Sequence, residues 1–479
     1  MSTQHPDNVN SPFFAAGPVL DGEDEIQEAY YTLSHLSCDE QMWDCEGKEA
    51  DDFVVKKLLS KYAPFFREHK LGEQVFLTLR VPNPEIEKAE AKVLLETLES
   101  IPRSFDVAKL FYGDGAPPIF EVIMPMTTSA ACLERVRRYY GDFVIGKQDR
   151  CVCQDDITLR AWLGEFKPGE INVIPLFEDK ERLLSAHEIT REYLEGKDFG
   201  HQRVFLARSD PAMNYGFFSA VLLNKLALFN LHSLSEETGV KIYPIVGVGS
   251  APFRGNLKPE TVERVSKEYS GAHTLTVQSA FKYDNPPEDV RKGVKKICER
   301  KAGKPFAPEE EKCLRVIEKY SEAYRKEVSA LAPLINRVAM FVPSRRKRKL
   351  HIGLFGYSRS MGGVSLPRVI TFTAALYSVG LPPELLGVSA LSDADMDVVR
   401  DAYPGVDADL SDALEYFNPE TGFAPEGIAG KVAELSLDFA KSEEHAEITS
   451  RIAGALRRNE VEGVTHNVLR AASIRRFLG

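Results

Sequence analysis

Residues 171–178 (INVIPLFE), 203–210 (RVFLARSD) and 242–254 (IYPIVGVGSAPFR) decide how this chain folds. Each is a short run rich in Val, Ile, Leu and Phe on both faces, and amphipathic segments separate one from the next. Buried parallel strands alternating with helices read this way. Each run also stops at a group able to bind a metal or an oxyanion. Glu178, Asp210 and Arg254 would then stand at the carboxyl ends of their strands, the edge on which barrel enzymes build their sites, and they are the first catalytic candidates.

Outward from these runs the alternation continues. Strands are predicted at 75–81 (VFLTLRV), 119–126 (IFEVIMPM), 273–280 (HTLTVQSA), 349–358 (KLHIGLFGYS) and 385–391 (LLGVSAL), with helices over 85–98, 129–140, 180–194, 216–237, 287–331 and 367–379. Eight strand-helix units fit an α/β fold of the (β/α)8 TIM-barrel type better than an open doubly wound sheet. The predicted division is an N-terminal segment at 1–70, the barrel at 71–392 and a helical extension at 393–479. Within the first segment, 23–36 reads as a helix. The acidic run 38–52 (CDEQMWDCEGKEADD) reads as a solvated loop, with Trp43 as a packing residue.

Composition bounds the function. The chain of 479 residues is 43% hydrophobic and 27% charged, with a net charge of -11, an ordinary globular balance that argues against a dedicated nucleic-acid or anionic-membrane binder. Seven cysteines are scattered without CxxC spacing, which suits free thiols in a reducing compartment. The polar opening MSTQHPDNVN lacks the apolar core of a signal peptide, and no apolar run reaches the ~20 residues of a membrane helix. A cytoplasmic protein without a membrane partner is the expectation.

The predicted strand ends carry Arg80, Met126 with Thr127, Glu178, Asp210, Ser250 with Arg254, Gln278 with Lys282, Tyr357 with Arg359, and Ser389. Carboxylates supply hard oxygen ligands for Mg²⁺ or Mn²⁺, and arginines grip phosphate or carboxylate at two points. Such a mouth suits a metal ion and a small, multiply charged anion. The loop 247–255 (GVGSAPFRG) presents backbone amides beside Arg254 as an anion nest. The basic run 344–349 (SRRKRK), just before a predicted strand, reads as a phosphate-gripping loop.

Together these segments resemble the phosphoenolpyruvate carboxylase family, in its short archaeal-type branch, across essentially the whole chain. STQHPDN at 2–8 is close to that branch's opening and similar to the TAHPTE of the longer enzymes, whose catalytic histidine matches His5. VIPLFE resembles PLFET and RSDPAMNYG resembles YSDSxKDAG, which implies that Glu178 and Asp210 hold the metal. GVGSAPFRG stands where the longer enzymes have HGRGGSxGRGG, with Arg254 on its second arginine; the first is Val248 here, and the lysine of the SDSxKD segment is Met213. LTLRVPN resembles LDxRQ, and SRRKRK followed by SLPR resembles GSRPxKR and SLR, which implies substrate contacts by Arg80, Arg345 and Arg368.

The resemblance implies that phosphoenolpyruvate and bicarbonate give oxaloacetate and phosphate with Mg²⁺ or Mn²⁺. Carboxyphosphate and an enolate would be the intermediates, His5 the general base, and a homotetramer the assembly. The alternative within enzymes is another metal-dependent pyruvate-enolate lyase or aldolase, which would turn over without bicarbonate and has no use for so many arginines. Outside enzymes, an RNA binder using the basic run would show strongly salt-dependent affinity.

Overall fold

Seven parallel strands form one curled sheet in sequence order: β1 (Glu40–Asp44), β2 (Phe76–Arg80), β3 (Glu121–Met124), β4 (Asn172–Phe177), β5 (His201–Ala207), β6 (Lys241–Gly247) and β7 (Thr274–Leu275). This computed structural model describes residues 1–47, 50–88, 91–347, 359–361 and 364–479. Helices including Ala91–Tyr112, Ala130–Arg138, Ala186–Leu194, Phe217–Thr238 and Val262–Glu268 make the crossovers that parallel strands require.

Period-two alternation sorts each strand into an outward and an inward set. Leu77, Leu79, Val122, Val173, Phe177, Val204, Leu206 and Val246 join the large core under the helices. Met42, Ile123, Ile174, Leu176, Phe205, Ala207 and Ile245 form a separate cluster on the inner face, together with Met1. One step below them the inner face is ionic: Arg203 donates to both Glu40 oxygens at 2.8 Å and to Glu121 Oε2 at 2.9 Å. Burial alone would raise the Glu40 carboxyl, but Arg203 holds it down at about 2. One step above the apolar cluster the same alternation turns Asp44, Arg80 and Glu178 inward.

The two edges of the sheet are joined by the first residues of the chain. Ser2 bridges in parallel to Gln41 in β1 and to Val277 just beyond β7. Four backbone bonds carry the join: Ser2 N to Glu40 O at 2.7 Å, Met42 N to Ser2 O at 2.9 Å, Val277 N to Met1 O at 2.9 Å and Thr3 N to Val277 O at 3.0 Å. A buried ion network pins this segment from outside. Lys282 Nζ donates to Thr3 O at 2.9 Å, to Ser2 Oγ at 3.2 Å and to Glu28 Oε1 at 3.0 Å, while Arg346 grips both Glu28 oxygens at 2.6 and 2.7 Å.

Several expectations are corrected here. Among the described residues the parallel sheet has seven strands rather than eight, with a separate two-stranded antiparallel ribbon, Arg359–Met361 and Val364–Leu366, and the first strand of the sheet comes from the acidic run read as a solvated loop. Glu40, Met42 and Asp44 alternate inward, with Trp43 buried on the other side as expected of a packing residue. The run 385–391 is no strand; it lies in two 3-10 turns, Pro383–Leu385 and Val388–Ala390, around Gly387 at φ +81. The strand expected at 349–358 falls outside the described residues. The helix expected over 287–331 is two, Pro287–Glu299 and Glu310–Ala339, broken around Gly303 and Pro305. From residue 393 on, the described elements are helices, from Asp393–Ala402 to Val464–Arg475. Among the described residues one straight helix, Phe217–Thr238, is long and apolar enough to cross a membrane; 78% of its apolar window is buried against the protein, which makes it a core helix. All seven cysteines are unpaired.

The Glu28 network predicts the energetic weight of this join. Burial opposes the Glu28 charge, yet Arg346 and Lys282 hold its carboxyl well below the usual range. Glu28→Gln would leave buried Lys282 without a counter-charge and Arg346 with Glu25 alone, a loss of about 3–5 kcal/mol. Chemical denaturation should show that loss; a change below about 1 kcal/mol would mean that the network does not hold the N-terminal segment.

Candidate functional site

Above the inner apolar cluster, the carboxyl ends of the strands and the N-terminal segment bring charged groups together. Glu178 continues the inward series Ile174, Leu176. Its Oε2 accepts a hydrogen bond from the Met126 amide at 2.7 Å, and Met126 holds the left-handed φ of +48 that turns this amide toward it. Asp210 lies in the first turn of Ser209–Tyr215, the helix that opens just after β5. Both side chains are half-buried, on neighbouring strand ends.

Arg254 is fully buried. It donates from Nε to Ser209 Oγ at 3.1 Å, from Nη1 to Asp7 Oδ2 at 3.0 Å and to the main-chain oxygen of Gly479 at 2.8 Å, and from Nη2 to Gln278 Oε1 at 2.5 Å. Four of the five N–H donors of a guanidinium are thereby engaged. Burial pulls the Arg254 pKa down, and the Asp7 carboxylate opposes that shift. Gly249 has no side chain for a structural reason: a Cβ there would meet Arg254 Cζ and Nη1 and Gln278 Oε1, each at 3.0 Å. Arg208 adds a second tie between the same two segments, donating from Nη1 to Phe253 O at 3.0 Å and from Nε to the Tyr269 hydroxyl at 3.1 Å. Residues 208–209 and 253–254 thus hold each other reciprocally, and Asp210 is fixed relative to Arg254.

On the other side of the mouth, Arg80 makes a two-point bond to Asp44, at 2.9 Å from Nε and 2.7 Å from Nη2, with Glu46 3.2 Å from Nε. Burial opposes its charge, but Asp44, Glu46 and, farther off, Glu178 keep Arg80 cationic. Beside it stands Glu87, a buried carboxyl whose two oxygens have no hydrogen-bond partner among the described residues. Burial first, and then the Glu46 charge, push Glu87 up to about 8, against Arg80 and Arg368. Arg368 is exposed at the N-terminal end of Val369–Ser378, close enough for its charge to be felt at Glu87.

The N-terminal segment connects the two halves. Gln4 Oε1 accepts from the Asp44 amide at 3.0 Å; Asp7 takes Arg254 on one oxygen and the Ala280 amide, at 2.7 Å, on the other. His5 lies between them, half-buried, its Nδ1 2.8 Å from the Thr3 hydroxyl and its carbonyl accepting from Ser279 N at 3.3 Å. The alternation that places Met1 in the inner cluster puts Thr3 and His5 on the same face.

Arg345, expected at the substrate, instead reaches the segment from behind, with hydrogen bonds to Asn8 O at 3.2 Å and Val9 O at 2.5 Å. Arg346 next to it is buried against Glu25 and Glu28. Neither is part of an exposed basic patch; Arg348 and Lys349 lie outside the described residues.

Asp7, Arg208, Asp44, Glu46 and Glu87 were not singled out in the sequence. Only Asp44 and Glu46 carried a local signal, the inward series Glu40, Met42, Asp44 hidden in an acidic run. Asp7 and Arg208 act through partners more than forty residues away in the chain, and Glu87 through burial and the charge of Glu46. Among the described residues no group of three or more His, Cys, Asp or Glu side chains could enclose a metal.

Comparison with known proteins agrees along the whole length. A family model described as Phosphoenolpyruvate carboxylase matches residues 1–479. A phosphoenolpyruvate carboxylase of Methanothermobacter thermautotrophicus is 60% identical over 479 residues, covering 100% of this chain and 99% of that protein. One from Methanospirillum hungatei is 56% identical over the same span, and one from Halobacterium salinarum 51% identical over 488 aligned residues, each with 100% and 99% coverage.

Glu87 generates a test. With its carboxyl pushed up to about 8 against an unfolded value near the usual ~4.3, the folded chain holds a proton that the unfolded chain has lost. Stability at this site is therefore greatest at low pH, falls as pH rises through the window between those values, and is flat above it. Glu87→Gln removes the slope. Melting curves from about pH 5 to pH 9 should show the variant gaining on the wild type as pH rises; parallel curves would mean that Glu87 is ionised in the folded protein.

Proposed function

The chain belongs to the phosphoenolpyruvate carboxylase family, and from that premise we propose how its own residues divide the work of joining phosphoenolpyruvate to bicarbonate. The full-length match supports the carboxylase reading over a bicarbonate-independent aldolase or lyase. The observation that carries the residue assignment is the convergence of Glu178, Asp210, Arg80, Arg254 and His5 on one edge of the inner face, tied together by residues 4 and 7.

Glu178 and Asp210 are proposed to hold Mg²⁺ or Mn²⁺. They fit a hard cation that keeps water and takes substrate oxygens, since two carboxylates stand on neighbouring strand ends with no closed cage around them. When bound, the ion supplies Lewis-acid stabilisation of charge on the enol oxygen.

The arginines act on the phosphoryl group. Arg80 is turned by its two-point bond to Asp44 so that Nη1 lies away from that pair, and we assign Nη1 to a phosphoryl oxygen. Arg254 has its remaining Nη2–H to offer. Arg368 lies on the exposed rim, and Arg345 is assigned an indirect part in substrate binding, holding Asn8 and Val9 and with them the histidine. Charge held in place before reaction stabilises the phosphoryl transition state without reorganisation.

A bicarbonate oxygen attacks phosphorus, the bond from phosphorus to the enol oxygen breaks, and its electron pair stays on pyruvate as the enolate. His5, with Nδ1 engaged by Thr3, takes the carboxyl proton of carboxyphosphate at Nε2. The C–O bond to phosphate then breaks, CO₂ is released beside the enolate, and C3 of the enolate bonds to it. The proton leaves on phosphate, so atoms and charge balance. We further take the enzyme to be a cytoplasmic homotetramer, as the resemblance implies.

The test is an oxaloacetate-coupled assay in which phosphoenolpyruvate, bicarbonate and Mg²⁺ are omitted one at a time. Each omission should abolish product, and Glu178→Gln and Asp210→Asn should each lower kcat at least about 100-fold, on the scale of lost preorganised electrostatics, with unchanged melting. Product without bicarbonate would overturn the carboxylase reading; near-normal turnover of either variant at saturating Mg²⁺ would overturn the metal assignment alone.

A further inference from the structure

The residues assigned above hold the phosphoryl group, the enol oxygen and the carboxyl proton; the attacking bicarbonate still needs a donor. Past β7 the strand alternation continues. Leu275 and Val277 join the large core under the helices, so Thr276 and Gln278 face inward. The Thr276 hydroxyl donates to Val248 O at 2.8 Å, and Gln278 stands one step above it, against Arg254. The N-terminal segment fixes the backbone around Gln278 from both sides. Thr3 N donates to Val277 O at 3.0 Å, Ser279 N to His5 O at 3.3 Å and the Ala280 amide to Asp7 Oδ1 at 2.7 Å. Gln278 therefore sits between the contact that seats Thr3 and the one that seats His5.

Gln278 is only 2% exposed, and its partner dictates which way its amide points. Oε1 accepts from Arg254 Nη2 at 2.5 Å. A guanidinium can only donate, so the amide oxygen must be the end that faces it, and Nε2 the end that faces away. Nε2 makes no hydrogen bond to the described residues, yet it is not among the partnerless side-chain atoms sealed inside the protein. A buried amide thus holds its N–H donors toward accessible space beside Arg254. Donors left unpaired at so buried a position cost free energy, which a ligand oxygen would recover. Gly249 keeps this pair unobstructed, since a Cβ there would meet both Arg254 and Gln278 Oε1 at 3.0 Å.

We propose that Gln278 binds bicarbonate, with Nε2 donating to the carboxyl oxygen that does not attack phosphorus. This role rests on the carboxylase reading and gives the second substrate a residue of its own. Carboxyphosphate, formed by that attack, carries a phosphoryl and a carboxyl group one bridging oxygen apart. The protein presents neighbouring donors to match: the remaining Nη2–H of Arg254 for the phosphoryl group and Nε2 of Gln278 for the carboxyl group. His5, whose carbonyl is held by the very next residue, Ser279, is then beside the carboxyl proton that it takes. A neutral amide suits this place. It orients the anion by hydrogen bonding but adds no charge that would hold the carboxyl group back when the C–O bond breaks and CO₂ leaves.

The test is steady-state turnover of the full-length enzyme with each substrate varied in turn. Gln278→Glu keeps an oxygen for Arg254 but replaces the donors with a negative charge. Its kcat/KM for bicarbonate should fall at least about 10-fold, while KM for phosphoenolpyruvate stays within about two-fold. Gln278→Met is neutral and of similar length; it should lower kcat/KM for bicarbonate about 3- to 10-fold, and it decides the matter if Gln278→Glu fails to keep wild-type melting. An unchanged kcat/KM for bicarbonate would overturn the assignment. So would KM values for both substrates that rise together, which would make Gln278 only a prop for Arg254. A wild-type enzyme that turns over without bicarbonate would instead remove the carboxylase reading itself.

Discussion

The site depends on the seat of the N-terminal segment between β1 and the continuation of β7. Residues 1–3 bond to both edges of the sheet, and the same extended run delivers Gln4 to Asp44 and Asp7 to Arg254. One short stretch therefore orients a carboxylate-arginine pair on each side of the mouth and carries His5 between them. Asp7 and Arg254 are both buried, so neither charge is tolerable without the other. A shift of the segment would unpair both at once.

The inner face resolves the conflict between a polar site and a stable core by layering. The ionic layer of Glu40, Glu121 and Arg203 closes one end, the apolar layer from Met1 to Ile245 fills the middle, and Asp44, Arg80 and Glu178 open at the other end. Each layer is one step of the strand alternation above the last. Glu178 is set at the mouth by the same register that buries Leu176, which is why a buried strand can present a carboxylate at its end without exposing its own core.

Much of this was legible in the sequence. Six strands announce themselves as apolar runs bounded by charged or glycine-rich ends, and Glu178, Asp210 and Arg254 follow at the strand ends by position alone. β1 was hidden because its inward residues include Glu40 and Asp44, acids whose partners, Arg203 and Arg80, come from other strands. The run 385–391 misled for the opposite reason: a short apolar run looks the same whether it is a buried strand or buried 3-10 turns. Gly387, packed against the backbone of Tyr324, favours the turns. The roles of Arg208 and Asp7 lie in distant contacts, and that of Glu87 in its burial, which no local pattern encodes. Arg345 shows the same limit: its residue type pointed to an anion, while the fold aims it at the carbonyls of Asn8 and Val9.

The central claim is that the N-terminal segment delivers a base that acts after phosphoryl transfer. It is tested most directly by the ratio of pyruvate to oxaloacetate formed by His5→Asn, with and without bicarbonate. Glu178 and Asp210, the proposed metal ligands, and the arginines remain in that variant, so bicarbonate should still attack phosphoenolpyruvate. The stranded enolate should then be protonated, and the variant should release pyruvate and phosphate in a bicarbonate-dependent way with little oxaloacetate. A wild-type ratio with normal oxaloacetate output would show that His5 is not the base, and loss of both products would place it before phosphoryl transfer; either result would contradict the account.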